Sequence, residues 1–321
     1  MAVQRKCRIA VLMGGVSNER PISFKSGAAV AAALSEAGHQ VIPVDITARS
    51  LRPIETVAPD LAFNALHGEF GEDGQIQALL EQRGIPYTGS GPEASRMGMD
   101  KVASKRAFVC HAVPTADYVL LEGATRPSRG ADLASQLGYP LVCKPACGGS
   151  SLGVSIVRSA SQLAVAVELA AQAEPASADR RVILERYVHG REFTVGILDG
   201  LPLPVVEICS RRGFFDYEAK YNDERTEYVV PVSLQETLYR NTQEAAVGAY
   251  RALGCRHLAR VDMIYGFDGR LNVLEVNTIP GFTPRSLLPM AARYAGIEFG
   301  DLCGRMVAMA LRDAAAARLT A

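Results

Sequence analysis

The most specific chemistry in the chain lies near its C-terminal end. Segments 260–265 (RVDMIY) and 271–277 (LNVLEVN) flank the turn signal Gly266-Phe267-Asp268-Gly269. Two period-2 runs around such a turn predict a β-hairpin. In a symmetric hairpin Asp262 faces Val273 and Arg260 faces Glu275, so Asp262, Glu275 and Asn277 share one face. The two carboxylates are then diagonal neighbours, about 7–8 Å apart at the backbone. Two carboxylates and an amide offer only oxygen donors, the set that suits Mg²⁺ with phosphates completing its shell. A solvated edge hairpin is the plainer alternative. Against it, Val261, Met263, Leu274 and Val276 on the other face are apolar and expected in the core. A β-bulge would spoil this register.

Cations and glycines lie upstream. The run Lys144-Pro145-Ala146-Cys147-Gly148-Gly149-Ser150-Ser151-Leu152-Gly153 sits between two strand-like segments. It reads either as a flexible hairpin loop or as a flap whose amides and Ser150 and Ser151 hydroxyls cover phosphate oxygens. Lys144 enters it as a point charge for phosphate, and Lys101 is a second candidate. No G-x-x-x-x-G-K-[ST] occurs, so this is not a P-loop. The loop from His67 to Gly74 follows a strand and opens a helix, where open α/β sheets bind ligands. His67 is either structural there or a ligand-binding group. Gly14-Gly15, also between strand and helix, is either a tight turn or an anion-binding turn.

The elements that must position these residues are legible in outline. Segments 8–13, 40–45, 61–66 and 85–88 read as strands, with helices at 23–37 and 75–82. Such alternation predicts a parallel sheet with helices on its faces. Helices are further expected at 100–110, 235–253 and 301–318. Strands are expected at 118–121, 141–144, 154–157, 182–187, 192–198, 203–208, 259–265 and 271–276. Residues 122–132, 172–181 and 210–226 are polar and loop-like.

The chain has 321 residues, 48% of them hydrophobic, enough for two or three domains at about 100–200 residues each. Lys+Arg and Asp+Glu both number 34, so the formal net charge is zero and the basic footprint of a nucleic-acid binder is missing. No stretch approaches the roughly 20 apolar residues of a membrane span. The N-terminal apolar run 9–13 leads into glycines rather than a cleavage-type sequence. The seven cysteines form no Cys-x-x-Cys pair, which predicts reduced thiols in a cytoplasmic protein.

Taken in chain order, the motifs resemble one family. They are Gly14-Gly15-x-Ser17-x-Glu19-Arg20, then Leu66-His67-Gly68 with Gly71-Glu72-Asp73-Gly74, then Tyr87-Thr88-Gly89-Ser90-Gly91 and Met99-Asp100-Lys101. After these come Lys144-Pro145 with Gly149-Ser150-Ser151-x-Gly153, Glu192-Phe193-Thr194-Val195, and Asp216-Tyr217-x-x-Lys220-Tyr221. Arg260-x-Asp262, Glu275-x-Asn277-Thr278-x-Pro280-Gly281 and Ser286-Leu287 complete the set. Together they resemble the ATP-grasp superfamily and, within it, the D-alanine–D-alanine ligases, nearly end to end. The pattern departs at Pro21, which follows Glu19-Arg20, and at Ala146-Cys147-Gly148 in the flap.

The resemblance implies a fold of mixed α/β and α+β class, an ATP-grasp unit preceded by a Rossmann-like domain. Its implied domains are 1–90 for substrate, 91–184 with the flap, and 185–321 with the metal site and a mobile loop. It implies ATP-dependent ligation of two D-alanines through an acylphosphate, for peptidoglycan precursors, with two Mg²⁺ (Mn²⁺ as a substitute) in a cytoplasmic homodimer. Glu19 would hold the first ammonium, with His67 nearby. Lys101, Lys144, Ser151 and Lys220 would contact ATP phosphates. Glu185, Arg186, Tyr187 and Val188 would form the adenine hinge, and Glu192 would take the ribose hydroxyls. Asp262, Glu275 and Asn277 would ligate metal. Arg260 and the Gly281 amide would stabilise the tetrahedral centre, while Ser286 and Leu287 would bind the second substrate. Ser150 and Tyr221, with Glu19, would link the mobile loop to the flap.

Three competing readings differ in class. A D-alanine–D-lactate or D-alanine–D-serine ligase would change the tyrosine of Lys220-Tyr221 or its loop. A non-catalytic nucleotide-binding regulator would lose a metal ligand or a phosphate lysine, and none is lost. A nicotinamide-dependent dehydrogenase would need a third glycine after Gly14-Gly15.

Overall fold

The computed structural model describes residues 6–122, 127–149, 152–173, 180–209 and 226–320. Three sheets organise them. The first is parallel, of order β2-β1-β3, built from β1 (Arg8–Gly14), β2 (Gln40–Ile46) and β3 (Leu61–Asn64). Strand β1 is buried from Ile9 to Gly14, as a central strand covered on both faces must be. Segment 85–88 contributes only a parallel bridge, Tyr87 to Ala62, not a full strand.

The second sheet is antiparallel, of order β4-β7-β5-β6, from β4 (Tyr118–Leu121), β5 (Leu141–Pro145), β6 (Ser155–Val157) and β7 (Val182–Arg186). The glycine-rich flap is therefore the β5–β6 connection. The third sheet has order β11-β10-β8-β12-β13, with β9 (Leu201–Pro202) paired to β8. Its strands are β8 (Gly190–Leu198), β10 (Val206–Cys209), β11 (Glu227–Val229), β12 (Leu258–Gly266) and β13 (Leu271–Asn277). Strand β10 starts three residues later than expected, because Pro204 has no N–H to give a ladder.

Besides the single turn Arg52–Glu55, four helices of eight residues or more lay outside the sequence reading. Pro127–Leu137 replaces most of an expected loop: Pro127 suits a first helical position, and Gly130, Ala134 and Leu137 recur at helical spacing. Ala160–Ala173 buries Leu163, Ala166 and Ala170. Pro92–Met99 and Leu287–Tyr294 complete the four. The first helix, Arg20–Glu36, begins earlier than expected, since Pro21 is tolerated within a first turn.

The two ends of the chain share a core. Val30 and Leu34 of the first helix join Leu302, Met306, Val307 and Ala310 of the C-terminal helix Phe299–Thr320 in one buried cluster. Phe63, Phe282 and Phe299 stack through it at 5.8 and 5.6 Å between centroids. This packing delivers the segment after β13 to the loops after β1 and β3. Among the described residues, no helix is long and apolar enough to cross a membrane.

Candidate active site

One cavity of about 440 Å³ opens where the sheets meet. Glu19, Lys101, Lys144, Glu185, Arg186, Tyr187, Val188, Glu192, Asp262 and Glu275 all line it. They arrive from the loop after β1, a helix start, β5, the β7–β8 connection and the β12–β13 hairpin. Ser150, Ser151, Lys220 and Tyr221 lie outside the described residues.

The hairpin register differs from the symmetric one expected. Asp262 stands directly opposite Glu275 and Arg260 opposite Asn277, while Met263 pairs with Val273. The shift between Asp262 and Met263 leaves Leu274 as an extra residue, a β-bulge. The bulge breaks the period-2 pattern: Val273 and Val276 are buried, and Leu274 lines the cavity rather than the core. It also makes the two carboxylates direct cross-strand neighbours instead of diagonal ones.

Asp262 is held on all sides by its own sheet. Arg260 donates Nε to Oδ1 at 2.8 Å and Nη2 to Oδ2 at 2.7 Å. Thr194 Oγ1 donates to Oδ1 at 2.6 Å, and Asn277 Nδ2 donates to Oδ2 at 3.1 Å. Asp262 and Glu275 line the cavity and Asn277 lies against Asp262, so the three offer adjacent oxygen-bearing groups, and a donor set of this kind fits Mg²⁺ or Mn²⁺.

The same cavity is lined by cations. Asp100 caps the helix Lys101–Cys110, accepting from the Val102 and Ala103 amides at 2.9 and 3.0 Å. Arg181 donates to its other oxygen at 2.9 Å. Burial opposes ionisation of Asp100, but these donors outweigh it and hold the carboxyl below its ordinary range. The cap sets Lys101 at the positive end of the helix, unfavourable for a cation unless an anion is to be bound there. Its Nζ donates to the Gly148 carbonyl at 2.6 Å, joining helix and flap.

Lys144 lies 2.9 Å from Glu185 Oε2, and the same oxygen lies 2.7 Å from Lys105 Nζ. Lys105 is fully buried and was missed in the sequence, where it looks like any helix-surface lysine. Burial pulls its ammonium below the ordinary lysine value, against the attraction of Glu185. For Glu185 burial favours the neutral acid, yet Lys144 and Lys105 together hold it below the usual carboxylate range. Removing one partner of a buried pair costs roughly 3–5 kcal/mol.

A third group forms around His67. Its Nε2 lies 3.0 Å from Ser26 Oγ and its Nδ1 3.3 Å from Glu72 Oε1. The Glu72 carboxylate only accepts, so Nδ1 carries the hydrogen toward it, and in the neutral ring Nε2 accepts from Ser26 Oγ, which itself accepts the Phe282 amide at 3.2 Å. Ligating atoms of Glu19, His67 and Glu72 lie within 4.8 Å of one another. Glu19 occupies the N-cap position of its helix but makes no side-chain cap bond. Gly68 has φ of 70°, and a Cβ there would come within 2.8 Å of Ser17 Oγ.

Gly281 and Ser286 sit beside this group through the Phe282–Ser26 bond. Ser286 Oγ accepts the Thr283 amide at 3.1 Å, and Ser286 stands at the N-cap position of Leu287–Tyr294 without a side-chain cap bond. The Leu287 side chain packs with Ile208 and Tyr228. Ser26 went unrecognised in sequence, as a small residue inside an apolar helix, and Glu72 stood there in a motif without a role of its own.

These features define an ATP-grasp fold with its cavity between two antiparallel sheets. The family profiles described as D-ala D-ala ligase N-terminus and C-terminus match residues 50–90 and 109–308. The D-alanine–D-alanine ligase of Syntrophotalea carbinolica is 43% identical over 302 residues, covering 94% of this chain and 95% of the relative. That of Gloeobacter violaceus is 45% identical over 302 residues, covering 94% and 98%. The crystal structure of the Bacillus anthracis D-alanine–D-alanine ligase complexed with ATP superposes with a TM-score of 0.84 at 34% identity, covering 96% of this chain and 98% of that one. The chain belongs to the D-alanine–D-alanine ligase family.

Proposed function

We propose that this cavity holds ATP and two D-alanines together and divides the family's reaction among its residues. The reaction is ATP-dependent, ADP-forming ligation of D-alanine to D-alanine, a step toward peptidoglycan precursors. A terminal phosphoryl group passes to the carboxylate of the first D-alanine. The amine of the second attacks the acyl carbon, and phosphate leaves. Such chemistry needs positioning and charge neutralisation more than a protein nucleophile.

The observation that carries this reading is the company these groups keep: Lys101 and Lys144 line the same cavity as the hairpin carboxylates Asp262 and Glu275. Lys101 and Lys144 take the phosphates. Residues 185–188 form the adenine hinge, and Glu192 binds the ribose. Asp262, Glu275 and Asn277 hold Mg²⁺, which supplies charge neutralisation on the phosphates. Glu19 pairs with the first ammonium, and His67 with Glu72 shapes that subsite. Arg260 and the Gly281 amide face the tetrahedral centre; Ser286 and the Leu287 backbone take the second carboxylate. We read the three sheets as the cores of domains 1–90, 91–184 and 185–321, and the protein as a cytoplasmic homodimer.

The test is phosphate release from ATP and Mg²⁺ with D-alanine, L-alanine, D-serine and D-lactate offered separately. Release is expected with D-alanine, together with the dipeptide. Release independent of amino acid, or with L-alanine alone, would overturn the reading.

A further inference from the structure

Glu185 is faced by two ammonium groups on one oxygen, Lys105 at 2.7 Å and Lys144 at 2.9 Å. The two lysines are not equivalent. Lys105 has no exposed surface. Its ammonium lies 2.7 Å from Glu185 Oε2 and donates to Thr115 Oγ1 at 2.7 Å and to the Ala116 carbonyl at 3.5 Å. Buried in this way, it is not among the residues that line the cavity. Lys144 lines the cavity, and its ammonium sits at the cavity edge of the same cluster.

Thr115 extends the connection. Its hydroxyl receives from Lys105 and donates to the Val273 carbonyl of β13 at 2.8 Å, and the Val273 amide donates to the Pro114 carbonyl at 2.8 Å. Lys105 therefore ties the strand of Glu185 to the strand that carries Glu275, two residues beyond Val273.

We propose that Lys105 is a positioning residue for nucleotide binding: the resident counter-ion of Glu185, which leaves Lys144 able to turn to the phosphates. A buried carboxylate with one cation would hold that cation tightly, because separation leaves an uncompensated buried charge. With Lys105 in place, Glu185 stays neutralised when Lys144 moves to an anion. Two cations on one carboxylate also leave a net positive charge facing the cavity, the sign that an incoming polyphosphate requires. This rests on the proposed role of Lys144 at the phosphates.

The experiment compares wild type, K105M, E185Q, K105M/E185Q and K144M by steady-state ADP release, with KM for ATP and for D-alanine measured separately and folding checked by circular dichroism. K105M is expected to raise the KM for ATP about tenfold or more, with the KM for D-alanine within about twofold. K105M/E185Q is expected to match E185Q within about twofold, since a neutral residue 185 needs no counter-ion. A lysine that merely fills the core would lower the melting temperature of K105M and leave its KM for ATP unchanged; that result overturns the proposal. If K105M does not fold, the double variant decides: a further tenfold rise over E185Q overturns the proposal, and equality supports it. K144M tests the underlying reading by itself, because an unchanged KM for ATP there would remove Lys144 from the phosphates whatever Lys105 does.

Discussion

Glu185 and Asp262 are both buried carboxylates on the wall of one cavity, and the molecule compensates them differently. Glu185 has two lysines from distant parts of the chain, one of them sealed from solvent. Asp262 has one arginine from its own strand, two residues away, with a threonine and an amide from the neighbouring strands. The first arrangement joins three elements and keeps its carboxylate ionised. The second keeps a carboxylate poised beside Glu275, held by a two-pronged arginine and by hydrogen bonds from the two adjacent strands of the same sheet. Charge near Glu185 should therefore govern nucleotide affinity, and charge at Asp262 should govern turnover.

The largest expected effect follows from that division. Asp262→Asn keeps the side-chain shape but removes the charge and turns one of two accepting oxygens into a donor. Losing a single electrostatic group at a reacting centre costs about 10²–10³ in rate, and loss of a metal ligand should cost about 10³ or more. Turnover measured by ADP release should fall by that factor with the circular dichroism spectrum unchanged. Activity above about a tenth of wild type would mean that Asp262 and Glu185 do not differ in the way described.

A third paired carboxylate, Asp100, sharpens the contrast because its partners are mostly backbone. Asp100→Ala removes a helix cap and the Arg181 pair, and should lower unfolding free energy by about 1–2 kcal/mol in urea titrations. The sign with pH is fixed by its lowered carboxyl pKa. The contribution is complete above the unfolded value of about 4 and is lost as pH falls through the lower folded value. The variant and the wild type should converge in stability at acid pH, and a constant gap from pH 7 to strongly acid pH would rule the carboxylate out as the cause.

Much of the site was visible in the amino-acid order because chemistry demanded rare combinations. Asp262, Glu275 and Asn277 stand out on a hairpin whose alternate positions are apolar, and Lys144 stands out before a run of glycines and serines. What stayed hidden depended on topology. The Lys105–Glu185 pair spans eighty residues of sequence and exists only because the helix Lys101–Cys110 packs on the sheet that contains β7. The bulge at Leu274 leaves no mark in the sequence, so the expected register differs from the observed one by two residues at Asp262 and by one beyond the bulge. Ser26 meets His67 only after the first helix packs behind β1. The helices at 127–137 and 160–173 are rich in alanine and polar residues, and their burial comes from the sheet they cover.

The central claim is that one cavity carries a carboxylate from phosphorylation to amide formation. It is tested most directly with D-alanine bearing ¹⁸O in both carboxylate oxygens. If the first D-alanine is phosphorylated on its carboxylate, the bridging oxygen leaves with the phosphate when the second amine attacks. The released phosphate should then carry one ¹⁸O for each dipeptide formed, read by mass spectrometry or by the isotope shift in its phosphorus resonance. Phosphate without label, formed alongside dipeptide, would contradict the account.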